Sequence, residues 1–107
     1  MDFMFDYWNN ACAMCGSVED NFRVIAHDHW IPIFSILKCP GTVIDNMVPL
    51  CHGKKGCKAA GIICCNNSKA RKDPIIWLIE RFGYDLAETK LAAIEAYFAL
   101  AKEHFPS

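Results

Sequence analysis

The hydrophobic pattern changes character along the chain, and each change predicts a different element. Phe3, Phe5, Tyr7 and Trp8 cluster near the start and predict a short helix within residues 1–11 that packs on the body. Phe22-Arg23-Val24-Ile25-Ala26 is a short β-type run. It leads into His27-Asp28-His29-Trp30-Ile31-Pro32, where the proline forces extended or turn backbone just before it. Residues 33–45 read as a loop punctuated by Pro40-Gly41, and Asn46–Cys51 as a second short extended segment. From His52 to Gly61 glycine and lysine dominate, which predicts an exposed loop. Ile62-Ile63-Cys64-Cys65 then runs into Asn66-Asn67-Ser68-Lys69, where an asparagine suits a helix cap.

The last third carries helical periodicity. Asp73-Pro74 is an N-cap followed by proline at the first helical position, and the helix Ile75–Phe82 stops at Gly83. A second helix starts near Asp85 and ends before Pro106, with Leu91, Ile94, Phe98, Ala101 and Phe105 on one stripe. Such a stripe is core packing first, and otherwise the seam of a homodimer. The pattern is therefore α+β. It contains no internal repeat, no low-complexity tract and no linker long enough to divide the chain.

Composition adds the scale. With 107 residues, 53% of them apolar, the chain suits one globular domain with a modest core. Domains of this size often lean on metals or disulfides. A net charge of −1 does not advertise a nucleic-acid partner. The average hides a basic segment: Lys54, Lys55, Lys58, Lys69, Arg71 and Lys72 lie between Cys51 and Lys72 with no acidic residue among them. Such a segment is suited to tracking phosphates. No apolar run reaches the ~18 residues of a membrane span. The N-terminus lacks the basic region of a secretory signal, so a cytoplasmic protein without a membrane partner is expected.

Seven cysteines in a reducing compartment read as metal ligands before disulfides, and an odd number leaves at least one thiol over. Cys12-Ala-Met-Cys15-Gly16 lets two thiolates face one tetrahedral ion, and Gly16 supplies the φ > 0 that such a knuckle needs. The second pair comes from Cys51, Cys57, Cys64 and Cys65. The others, with Cys39, are expected to be buried free thiols. A redox role for the CxxC would need a βαβ context that the pattern lacks. Four thiolates leave no open position, so the Zn²⁺ would be structural.

The cysteine pairs interleave with Asp28-His29-x-x-Pro32, Asn46-x-x-Pro49-Leu50-Cys51 and Cys65-Asn66-x-x-Lys69. Each piece is weak alone. In this order, over roughly residues 8–82, they resemble the zinc-bearing branch of the HNH (ββα-metal, His-Me finger) endonucleases, of the small standalone bacterial and phage type. Trp77-x-x-x-Arg81-Phe82-Gly83 and the final helix look like the tail of such proteins. The resemblance implies one domain over 1–107, with an N-terminal segment 1–11, a zinc and ββα-metal core 12–73, and C-terminal helices 74–107. It implies a DNA endonuclease with catalytic Mg²⁺ or Mn²⁺. Asp28 and Asn66 would ligate that ion, His29 would be the general base, and Asn46 would orient His29 through the backbone. It places the structural zinc on Cys12, Cys15, Cys51 and Cys65, with Cys57 and then Cys64 behind Cys65. Lys69 would face phosphate or the helix environment, with the other basic residues on DNA. The segment between Cys51 and Asn66 is longer than the family's usual knuckle. The alternative is a zinc-stabilised nucleic-acid-binding module without catalysis.

Overall fold

A computed structural model describes residues 2–31 and 46–104. The expectations that fall on Pro32, Cys39, the loop 33–45 with Pro40-Gly41, Phe105 and Pro106 lie outside the described residues. The elements run in the order α1 (Asp2–Tyr7), β1 (Arg23–His29), β2 (Met47–Gly53), α2 (Cys65–Lys69), α3 (Pro74–Phe82) and α4 (Tyr84–His104). β1 and β2 form a two-stranded sheet. The chain divides into two compact units, Met1–Asp28 with Val48–Ala70, and His29–Met47 with Arg71–Ser107.

In the first unit Met4, Met14, Val48 and Leu50 are buried beside the cysteines. β2 is the buried strand: Val48 and Leu50 are fully buried and Cys51 nearly so, after which His52 turns to solvent. The turn after Cys12 closes through Gly16 N–H donating to the Cys12 carbonyl (2.9 Å), with Gly16 at φ 75°. That left-handed conformation favours glycine, which explains the residue following Cys15. Ala13 N–H donates to the Pro49 carbonyl (2.8 Å), docking the turn on β2. Met4 of α1 is fully buried, and the Phe5 ring lies 5.1 Å from that of His27 on β1. The approach to β1 is an Asx-type turn: Asp20 Oδ1 accepts from Phe22 N (2.8 Å) and Arg23 N (3.0 Å).

The second unit is built by α3 and α4, which pack on each other. Asp73 caps α3 by accepting from Ile75 N (2.9 Å) and Ile76 N (3.2 Å), with Pro74 in the first turn. Gly83, at φ 82°, ends it. Trp77 and Leu78 are the buried face of α3, and Trp77 meets Phe82 edge-on at 5.9 Å. On α4 the buried positions are Ala87, Ile94, Tyr97 and Ala101. The predicted stripe was right at Ile94 and Ala101, but Tyr97 is buried where Phe98 was expected, and Phe98 is only half-buried.

One local expectation changes. Helix α2 starts at Cys65, and its N-cap residue, Cys64, makes no side-chain cap. Asn66 and Asn67 do not cap it, because their side chains reach across to the strands instead. This five-residue helix is too short to persist on its own and depends on those ties.

Candidate metal centre

The Cys12–Cys15 turn, the end of β2 and the first residue of α2 bring four thiols together. The sulfurs of Cys12, Cys15, Cys51 and Cys65 all lie within 4.8 Å of one another, and those of Cys15 and Cys51 are 3.7 Å apart. A tetrahedral Zn²⁺ with bonds of about 2.3 Å has sulfur–sulfur edges of about 3.8 Å, so the donor set fits this ion in chemistry and size. Cys65 N–H donates to Cys51 Sγ at 3.1 Å, the type of backbone bond that favours a thiolate. Cys12, Cys51 and Cys65 are buried and Cys15 is exposed. Among the described residues Cys57 and Cys64 stand outside the cluster.

The electrostatics of the bare thiols point the same way. Hydrogen bonds from Cys12 hold Cys15 and Cys51 below the ordinary thiol range. The reciprocal effect pushes Cys12 and Cys65 up, led for Cys12 by its bond to Cys15 and for Cys65 by its bond to Cys12, with burial adding to both. Four sulfurs this close cannot all ionise without a cation to share. The fold is thus α+β, a ββα unit with C-terminal helices, and it carries a four-cysteine cluster suited to a structural zinc ion.

A second polar cluster follows directly in sequence. Asn66 is next to Cys65 on α2, and its Nδ2 donates to Asp28 Oδ1 on β1 at 3.0 Å, joining residues 38 apart in the chain. The Asn66 Oδ1 faces His52 Nδ1 at 3.1 Å. Asn67 Oδ1 accepts from Gly53 N at 2.8 Å, which ties α2 to the end of β2. Lys69 Nζ lies 3.1 Å from Asp28 Oδ2. Its side chain has no solvent exposure, whereas that of Asp28 retains 17%. Burial lowers the Lys69 ammonium from the usual lysine range, and the adjacent Asp28 carboxylate opposes that shift.

His29 ends β1 and is half-buried. The backbone just after it is fastened by Asn46, which is almost fully buried. Trp30 N–H donates to the Asn46 carbonyl (2.8 Å), Ile31 N–H donates to Asn46 Oδ1 (2.9 Å), and Asn46 Nδ2 donates to the Ile31 carbonyl (3.2 Å). An asparagine spanning both backbone groups of one residue is a rigid two-point clamp.

The basic residues separate into two kinds. Lys55, Lys58, Arg71 and Lys72 are exposed, and Lys54 is partly so. Lys54 Nζ donates to the Asp20 carbonyl (2.7 Å), and Lys72 pairs with Glu80 at 3.4 Å. Of the two surroundings expected for Lys69, phosphate or the helix environment, its position on α2 one turn after Cys65 gives it the second, on the buried face. That spacing was the available signal. His52 was missed as a partner of Asn66, since a lone histidine in a Gly/Lys stretch carries no pattern of its own. Comparison with protein-family models, with curated proteins and with solved structures finds no match to this chain.

Proposed function

We propose that the chain is a metal-dependent endonuclease of the HNH type that hydrolyses DNA phosphodiester bonds. The observation that carries the reading is the pairing of Asp28 on β1 with Asn66 on α2, beside the thiol cluster that Cys65 helps to form. Asp28 offers a carboxylate, while the Asn66 amide presents its nitrogen to it and would supply an oxygen donor to Mg²⁺ or Mn²⁺ only when turned over. Asp28 and Asn66 would hold the divalent ion, with the amide of Asn66 turned so that its oxygen faces inward. When bound, such an ion neutralises the phosphate and stabilises the leaving oxygen.

The chain's own residues do the rest. His29 takes the proton from the attacking water at an imidazole nitrogen, acting as the general base. Asn46 acts through the backbone after His29, so that the ring does not drift as it takes the proton. The zinc cluster fixes where α2 begins, and therefore where Asn66 stands. Lys54, Lys55, Lys58, Arg71 and Lys72 are the side chains proposed to meet the DNA backbone, whose phosphates bind by charge and without sequence preference.

The test is relaxation of supercoiled plasmid with Mg²⁺ or Mn²⁺ by zinc-loaded wild type and His29→Ala. Nicking by wild type and a loss of at least about a hundredfold in the variant are expected; equal activity in the two would sink the reading. Salt-sensitive DNA binding that survives Asp28→Ala and His29→Ala, without nicking, would instead identify a zinc-stabilised binding module.

A further inference from the structure

Among the described residues, Cys57 and Cys64 are free thiols with no part in the four-thiol cluster. Both line one open cavity of about 260 Å³, together with Lys58, Ile62, Ile63 and Asn67. Sites for drug-sized ligands hold roughly 300–1,000 Å³, so this smaller space suits a group the size of one small thiol. The two cysteines differ in access. Cys57 is half-buried, and its sulfur stands where a side chain on Gly53 would be, which seats it at the end of β2. Cys64 is 2% exposed and makes no side-chain cap at the start of α2. The chain between them folds back. Ile62 N–H donates to the Cys57 carbonyl at 2.9 Å, and Cys64 is only two residues past that closure. Two residues reach at most about 7 Å, the same order as the Cα separation of a disulfide, about 4.4–6.8 Å.

We propose that Cys57 is a modification site for low-molecular-weight disulfides, and that Cys64 is the thiol that resolves the adduct. An accessible thiol sharing one cavity with a buried thiol is the arrangement of an attacking and a resolving cysteine. Charge selects the class of disulfide. Lys58 lines the cavity, and no acidic residue lies between Cys51 and Lys72, so an anionic thiol such as glutathione is favoured. In the first step the Cys57 thiolate attacks one sulfur of R–S–S–R. That S–S bond breaks, a Cys57–S–S–R bond forms, and R–S⁻ leaves and takes up the proton that Cys57 gave. In the second step the Cys64 sulfur attacks the Cys57 sulfur and forms the Cys57–Cys64 bond. The second R–S⁻ leaves and takes up the Cys64 proton. The chain is oxidised by two electrons, and R–S–S–R is reduced to two R–SH. The four cluster sulfurs take no part, and the proposal does not depend on the nuclease.

The experiment exposes the full zinc-loaded chain to oxidised glutathione and follows intact mass, zinc content and non-reduced peptide maps. Wild type, Cys57→Ser and Cys64→Ser are compared. Wild type should end as the Cys57–Cys64 disulfide, with its zinc retained, and dithiothreitol should restore both thiols. Cys64→Ser should stop at one glutathione on Cys57, because nothing resolves the adduct. Cys57→Ser should react at least about tenfold more slowly than wild type. Equal rates in Cys57→Ser and wild type overturn the proposal. So does a map that places the reaction on another cysteine, such as Cys15, the exposed member of the cluster. Zinc loss in step with oxidation overturns it too, since the reaction would then lie at the cluster. A stable glutathione adduct on wild type removes the resolving role of Cys64 and has the same consequence. If a variant does not retain zinc, the wild-type map alone decides: a Cys57–Cys64 cross-link supports the proposal, and its absence overturns it.

Discussion

The two units of this molecule reach stability by different routes. The unit of 1–28 and 48–70 buries Met4, Val48 and Leu50 but, among the described residues, adds to them four clustered thiols, side-chain-to-backbone bonds and the Asp28–Lys69 ion pair. The unit containing α3 and α4 holds together through apolar faces, with Trp77, Leu78, Ile94 and Tyr97 all at 1% exposure or less. The difference teaches where each is vulnerable. Apolar packing is non-directional and spread over many contacts, so it fails gradually. A metal cluster is directional and concentrated, so it fails at once.

Metal removal should break the comparison most sharply. A structural zinc site contributes about 10–16 kcal/mol of apparent free energy. Chelation should leave amides in 12–28 and 48–70 exchanging freely, while those of α3 and α4 remain protected in hydrogen-exchange mass spectrometry. Uniform loss of protection in both units would show that they fold as one. Trp77→Ala is the converse probe. It should cost about 3–5 kcal/mol in chemical denaturation, the usual range for a buried large aromatic, with the zinc content still one per chain. Asp28→Asn probes the ion pair and should cost about 3–5 kcal/mol by stranding the Lys69 ammonium. The double variant Asp28→Asn/Lys69→Met should recover most of that loss, since neither charge is then left alone. The smallest effect belongs to the helix cap: Asp73→Ala should cost about 1 kcal/mol, read as a modest drop in the melting temperature, with no change in zinc binding.

The same contrast governs what could be read in advance. α3 was legible almost to the residue, because Asp73-Pro74 and Gly83 are local signals and the structure uses them locally. The cysteine knuckle was legible for the same reason, through its short spacing and Gly16. The partner of that knuckle was not fixed by spacing: Cys51, Cys57, Cys64 and Cys65 were all open until the resemblance favoured Cys65. The geometry groups Cys65 because it opens α2 immediately before Asn66, which is tied to Asp28. Lys69 shows the limit most clearly. Its basic segment left Lys69 between phosphate and the helix environment, and the three-dimensional course of a five-residue helix buries it. On α4 the period was read correctly but its phase drifted, so Tyr97 took the place expected of Phe98. A long amphipathic helix offers neighbouring aromatic positions of nearly equal merit, and tertiary packing chooses between them.

The segment between Cys51 and Cys65 closes on itself at the four-cysteine cluster. Both of its ends supply sulfur to the cluster, and Gly53 N–H, two residues into it, is held at 2.8 Å by Oδ1 of Asn67, two residues beyond it. With its ends pinned in this way, the intervening loop resembles the span of a handle fixed at two bolts. Lengthening such a loop costs only slowly growing closure entropy, about 0.6 kcal/mol for each doubling. The segment is therefore a natural place for inserted sequence, where a tag or recognition peptide can be carried without displacing the helix that begins at Cys65.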